Sequence, residues 1–326
     1  MATSGSWNYS VTAANIIAAA YEDLGVIAPG DSVATADSTM ALRRLNLIAK
    51  QYQGRSDGAP GIKVHTRQRI TLMLAKGQQT YTIGPASTDS RASLLMGRTT
   101  ISADEASGQT VLSITSNTDT TTYPGTTITM TASDIIGIEL NDGTIQWTTI
   151  SGTPASTATV AVALTAAASA GNYVWWFTAR AQRFPYIESA RLRDENYKDV
   201  PLEIYTTAEQ YDLGVVDKYA DGTPTAMLVE PLRINTRITL DTQPTVVTDQ
   251  IILTVFYPSE DYDAVANDIA FPQEAIRFLH WELAFALSPS FGRWTPEMEK
   301  NRMEARAMYL NLNPENSVLY FQPGGL

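Results

Sequence analysis

The chain of 326 residues contains no cysteine, so neither a disulfide nor a thiolate metal site can form. That fits a reducing cytoplasm, or a particle that does not use bridges. Histidine occurs only twice, at His65 and His280. Lysine is absent from Gly77 to Tyr197. No basic-then-apolar stretch marks a signal peptide at the start. The runs Ile16–Tyr21 and Val160–Ala170 are too short, and too rich in Ala and Thr, to span a bilayer. The expectation is a soluble protein that does not engage membranes.

Catalytic signatures are equally sparse. There is no phosphate loop, zincin pattern or nucleophile elbow. His280 falls inside a predicted helix, where a packed or rim histidine is the simpler expectation than a base. Asp261 and Asp263 flank Tyr262 and could hold a hard cation, but a solvated loop before a helix is the plainer reading. Paired carboxylates for glycoside chemistry need not be close in sequence, and no pattern promotes any of the 34 acidic residues to that role. The expectation is no enzyme, no cofactor and no metal.

Charge is present but uneven. The formal net charge of −11 argues against affinity for DNA over the whole surface. Between Ser38 and Thr80, however, Arg43, Arg44, Lys50, Arg55, Lys63, Arg67, Arg69 and Lys76 face a single acid, Asp57. Two readings stay open: a solvated basic face, or a docking surface for an acidic partner or passing nucleic acid. An acidic remainder suits the wall of a DNA channel, since like charge keeps DNA from sticking.

The pattern predicts helices at both ends of the chain. Ile16, Ile17, Ala20 and Leu24 share one face over 12–24, with Gly25 at the C-terminal cap position. Asp37 can cap a second helix carrying Ala41, Leu45, Ile48 and Tyr52, which Gly54 ends. Near the other end, Phe271-Pro272 opens a helix Gln273–Leu287, and Pro289-Ser290-Phe291-Gly292 stops it. Thr295 then caps a last helix, with Pro296 first and Glu297 and Glu299 near its positive end.

The helix Gln273–Leu287 has two apolar sides. Ile276, Leu279, Leu283 and Leu287 form one stripe, while Phe278, Trp281 and Phe285 fall nearly opposite. A one-sided surface helix has one stripe, so two imply burial on both faces. Either this helix is central in a monomer core, or it is held between its own domain and a neighbouring subunit.

Strands are expected at Gln68–Leu74 and Gln79–Ile83, joined at Lys76-Gly77, and later at Tyr186–Arg193, Val200–Tyr205, Ala226–Val229, Arg237–Asp241 and Gln250–Tyr257. A short helix containing Tyr211 follows Thr206-Thr207, and Gly222-Thr223-Pro224-Thr225 is a turn. From Arg91 to Arg180 Thr, Ser, Ala and Gly dominate. Short β-like runs recur there at Thr110–Ile114, Thr126–Thr131, Asp134–Leu140, Thr144–Ile150, Thr157–Leu164 and Tyr173–Thr178. Asn141-Asp142-Gly143 is a strong hairpin signal. The predicted class is α+β: a helical bundle from both chain ends with a mostly antiparallel sheet, plus an inserted small all-β barrel or sandwich. The organisation read from this is a discontinuous core, 1–91 and 182–312, an insert at 92–181 and an extended tail at 313–326. In the tail, Val318-Leu319-Tyr320-Phe321 would be costly to leave in water, so a partner-docked strand is preferred to a frayed terminus.

The order of strand, aromatic–Pro loop with acidic residues, helix from Pro272-Gln273-Glu274-Ala275-Ile276 to Ser288-Pro289-Ser290-Phe291-Gly292, and a second helix rich in Ala, Met and Glu resembles the head-to-tail adaptor proteins of short-tailed bacteriophages. The resemblance covers about 182–312 and, less closely, 1–90; the Gly222–Thr225 turn before strands is part of it. The run from Asp134 to Thr149 is similar to a module found inside several phage virion proteins. The resemblance implies a structural virion protein: a ring beneath the portal, dodecameric to match it, that extends the DNA channel and joins capsid to tail. Its implied partners are the portal protein, tail tube, nozzle or tail-fibre proteins, further copies of itself, and packaged DNA passing without sequence-specific binding. Its implied place is the virion neck, reached from the host cytoplasm. On that reading Phe278, Trp281 and Phe285 meet a neighbouring subunit, Val318, Leu319, Tyr320 and Phe321 dock on the portal, and Arg43, Arg44, Lys50, Arg55, Lys63, Arg67 and Arg69 form the basic face. Two rivals stay open: a tail-tube or nozzle-side connector, and a tail-borne glycan-binding or cell-wall-cleaving protein using Trp147, Tyr173, Trp175 and Trp176.

Overall fold

The computed structural model describes residues 9–53, 67–85, 87, 90–123, 125–257 and 259–310. The class is α+β, with helices gathered from both chain ends and strands between them. The chain divides into two compact units, 1–66 with 258–326, and 67–257. The core expected over 1–91 and 182–312 is thus shared between them. The helices near the chain ends fall in the first unit, while the strands and the short helix Ala208–Gly214 fall in the second with residues 92–181.

The first unit is helical. It contains α1 (Ala13–Asp23), α2 (Thr35–Gln53) and, after the intervening 67–257, α4 (Ile276–Phe291) and α5 (Pro296–Leu310). The numbering leaves α3 (Ala208–Gly214) for the second unit. Thr12 caps α1 by accepting from the Asn15 amide, and Gly25, at φ +64°, ends it. Asp37, expected as a cap, lies instead in the first turn of α2. Thr295 caps α5 through the Met298 amide.

A single turn of 3-10 helix, Gln273–Ala275, leads into α4, which packs on α1, α2 and α5. Leu279, Leu283 and Leu287 are fully buried, each stabilising the fold by about 1.5–3 kcal/mol. The helix was expected to end at Leu287, before the stop Pro289-Ser290-Phe291-Gly292, but it runs through Pro289 to Phe291. Proline removes an N–H that would bond to the carbonyl of Phe285. The Ser288 hydroxyl donates to that oxygen instead, at 2.8 Å. At the helix end Arg44 donates to the Ala286 carbonyl and, at 2.8 Å, to Ser290 Oγ, placing a cation at the negative pole. Gly292, at φ +63°, supplies the left-handed residue that ends α4.

The second unit holds three sheets of four or five strands and three two-stranded pairs. One has five antiparallel strands in the order Asp199–Pro201, Tyr186–Arg193, Gln250–Phe256, Arg67–Met73 and Ala92–Ser93. A second orders Glu203–Tyr205, Ala226–Pro231, Thr236–Leu240 and Thr80–Ile83, with the first pair parallel. These two share one core, which includes Ile70, Leu72, Ile83, Leu192, Met227, Ile238 and Leu253. The expected neighbours at 68–74 and 79–83 therefore part at Gly77 and enter different sheets. The expected strand Val200–Tyr205 likewise divides at buried Leu202, whose amide bonds to Ala190 while that of Glu203 bonds to Thr225.

The third sheet lies within 92–181 and orders Gly97–Thr100, Tyr173–Phe177, Ile135–Glu139 and Ile145–Thr149, all antiparallel. The pairs Val111–Ser113 with Thr157–Thr159 and Thr118–Asp119 with Ile128–Thr129 accompany it. The hairpin forms as expected: Glu139 pairs with Ile145 across Asn141-Asp142-Gly143, with Gly143 at φ +77°. Two buried carboxylates tie its loops. Asp134 accepts from the Thr131 amide and hydroxyl. Asp119 accepts from Thr121, Thr122 and the Arg98 amide; burial pushes its pKa up, but these bonds hold it below the usual range.

Candidate functional site

The two-sided pattern of α4 is real, and its own chain covers most of the second side. Phe278 is 1% exposed, stacked on Tyr309 at 4.4 Å and meeting Tyr52 edge-on at 4.7 Å. It cannot reach a neighbouring subunit, which corrects that assignment; α5 and the end of α2 occupy the space. Trp281 is half-buried, with its ring 5.1 Å from that of His280. Phe285 keeps 39% of its surface exposed, with Trp294 edge-on at 5.3 Å and the Arg302 guanidinium 3.6 Å above its ring.

That guanidinium is the hub of a network missing from the sequence reading. Arg302 on α5 grips Glu282 on α4 through Nε and Nη2, both at 3.1 Å, and reaches Glu299 at 3.3 Å. Glu282 is buried among apolar neighbours, and the bidentate pair is what makes that tolerable. The legible signal was a lone Glu four residues from both Phe278 and Ala286.

The expected basic face divides between the two units. On α2, Arg43 is exposed, Arg44 is committed to the end of α4, and Lys50 bonds the Ser259 carbonyl and pairs with Asp261 at 2.9 Å. Arg67 pairs with Glu188 and lies over Phe256, while Arg69 lines a groove of about 530 Å³ with Leu94, Leu95 and Tyr123. Arg55 and Lys63 lie outside the described residues. So do the expected portal-docking residues Val318, Leu319, Tyr320 and Phe321, and His65.

A second groove, about 370 Å³, runs along α2 between Thr39, Leu42, Arg43, Asn46, Leu47 and Lys50, closed by Tyr262. Its floor is fixed by Asn46, whose side-chain amide exchanges two 2.8 Å bonds with the Tyr262 backbone. This arrangement pairs Asp261 with Lys50 and buries Tyr262. Among the described residues no three His, Asp or Glu side chains group as metal ligands. His280 lies 2.9 Å from Asp23; burial of the imidazole lowers its pKa, against the opposing pull of that carboxylate.

Trp175 and Trp176, motivating a glycan-binding face, are 1% and 0% exposed, and Trp147 and Tyr173 are half-buried beside them. They are core. The most exposed apolar residues lie elsewhere, at Leu213 in the last turn of α3 and at Val216 and Tyr219 just beyond it, a stretch in which the sequence reading singled out only Tyr211.

No protein-family model matches the chain, and no curated protein matches it.

Proposed function

We propose that this chain is a structural protein of a bacteriophage virion, a head-to-tail adaptor that forms a ring beneath the portal. It would extend the DNA channel and join capsid to tail. It acts by assembly rather than by catalysis, passing DNA during packaging and ejection without reading its sequence. One observation carries the reading furthest. Both ends of the chain converge on a single helical core in which α4 is wrapped by α1, α2 and α5, and the whole β-rich middle is threaded between them. The last part of that order, from the strand Gln250–Phe256 through α4 to α5, is the part on which the resemblance to adaptors rests. The partly exposed rim of Trp281 and Phe285 supports a subunit contact there, and a net charge of −11 suits a wall that DNA must slide past.

The segment 313–326, which follows α5 in the sequence, carries the apolar run assigned to the portal. Deleting it tests the assignment. The truncated chain should keep its circular dichroism spectrum and melting profile yet fail to bind the portal protein encoded with it. Undiminished binding would remove the tail from the mechanism.

The same surfaces would serve a tail-tube or nozzle-side connector that never touches the portal. Reconstitution with portal alone separates the two. Burial of Trp175 and Trp176 speaks against the glycan-binding reading, and a turbidity assay on purified cell wall would test it.

A further inference from the structure

One surface is formed by the last turn of α3 and the residues that follow it. Thr207 caps that helix, Tyr211 and Val215 pack into the sheet beside Leu228, and the Tyr211 hydroxyl donates to the Leu240 carbonyl at 2.8 Å. The segment is thereby anchored, yet it holds Leu213, Val216 and Tyr219 outward, 79%, 95% and 82% exposed. Three large apolar side chains fixed in water within seven residues mark an interaction surface. Glu209, Asp212, Asp217 and Asp221 surround them, against Lys218 alone, which is tied to Asp212.

The other surface is the α2 groove. Leu42 and Leu47 form its apolar wall, with Leu47 65% exposed. Its charged rim is basic: Lys50 already contacts Asp261, and Arg43 has no carboxylate partner among the described residues. An acid-flanked apolar ridge and a base-rimmed apolar groove complement one another in apolar character and in sign.

We infer that the Leu213–Tyr219 ridge of one copy of this chain seats in the α2 groove of the next. Because the two patches differ, each bound copy still offers one free ridge and one free groove. Such a head-to-tail contact propagates, giving a ring where its rotation closes and a filament where it does not. Opposite rim charges would fix the register and disfavour ridge against ridge. The inference deepens the adaptor reading by naming a further subunit contact, separate from the Trp281 and Phe285 rim, and it rests on that reading only for closure into a ring.

The cysteine-free chain allows a direct test with the full-length protein. Leu47→Cys and Val216→Cys are made in separate chains, both at exposed positions, and circular dichroism verifies that each folds. The two are mixed at high concentration and oxidised with copper phenanthroline. A disulfide-linked dimer should accumulate several-fold more in the mixture than in either variant alone. Adding Arg43→Glu to the Leu47→Cys chain should cut that yield, and Asp217→Lys on the other chain should restore it. A mixture that cross-links no better than the single variants overturns the contact, as does indifference to the charge reversals. Rings on the portal without the cross-link would leave the adaptor reading standing and this contact refuted. Cross-linking without portal binding would do the reverse.

Discussion

The Arg302–Glu282 pair gives the sharpest test of how the helical unit holds together. The side chains are 15% and 6% exposed, and the two 3.1 Å bonds make a fork that few water molecules can replace. Replacing Arg302 by Met keeps the apolar stem over Phe285 but strands the Glu282 carboxylate in the core. Breaking a buried pair in this way costs about 3–5 kcal/mol. Loss of the cation above the Phe285 ring, at 3.6 Å, adds up to about 2 kcal/mol. Replacing both partners, Glu282→Leu with Arg302→Met, removes the stranded charge as well. That double variant should return to within about 1–2 kcal/mol of the parent, because well-packed apolar residues often substitute for an ion pair at no loss. The double substitution is thus expected to be more stable than Arg302→Met alone. Urea unfolding followed at 222 nm reads this transition, since four of the five described α-helices lie in this unit. If the double variant is as unstable as the sum of the two single ones, the desolvation argument is wrong.

Two further outcomes follow from packing and ionisation. A Cβ at Gly97 would fall on the indole of fully buried Trp176, so Gly97→Ala should cost about 1–3 kcal/mol, read as a lower melting temperature; an unchanged midpoint would contradict the packing. Burial pushes Tyr21, Tyr81 and Tyr262 up to about 12, and raises Tyr257 and Tyr309 as well. The unfolded chain ionises its tyrosines near the usual value of about 10, so it loses protons first as pH rises. The stabilisation is complete below that pH and is lost on the way to about 12. Urea midpoints across this window should fall together with a delayed rise in tyrosinate absorbance, and flat midpoints would refute the burial.

Local chemistry made the helices legible. Thr12, Thr295, Gly25 and Gly292 act at helix ends as their side chains, or lack of one, dictate. The Asn141-Asp142-Gly143 hairpin was readable for the same reason, because two adjacent strands and a positive φ are specified within a few residues. Sheet membership was not. Whether Thr80–Ile83 pairs with Arg67–Met73 or with Thr236–Leu240 depends on residues more than 150 positions away. Two-residue strands such as Ala92–Ser93 carry no period to detect. The stop at Pro289 failed because one neighbouring hydroxyl, on Ser288, satisfies the orphaned carbonyl.

Candidate site residues were legible by type more than by partner. The second apolar side of α4 could be read, but not that Tyr309 and Tyr52 would claim Phe278. Arg44 belonged to a basic run by count, while its guanidinium turned out to serve a helix end. The ridge at Leu213, Val216 and Tyr219 has the spacing of a helical face, which a buried helix would share; only its exposure distinguishes it.

The central claim is that copies of this chain gather on a portal ring, and mass photometry of the purified chain titrated into its cognate portal measures that directly. The mass should step from the bare portal to a portal carrying one full ring of adaptors, matching its symmetry, with little of the intermediate stoichiometries. A portal mass that stays unchanged at saturating chain would contradict the account.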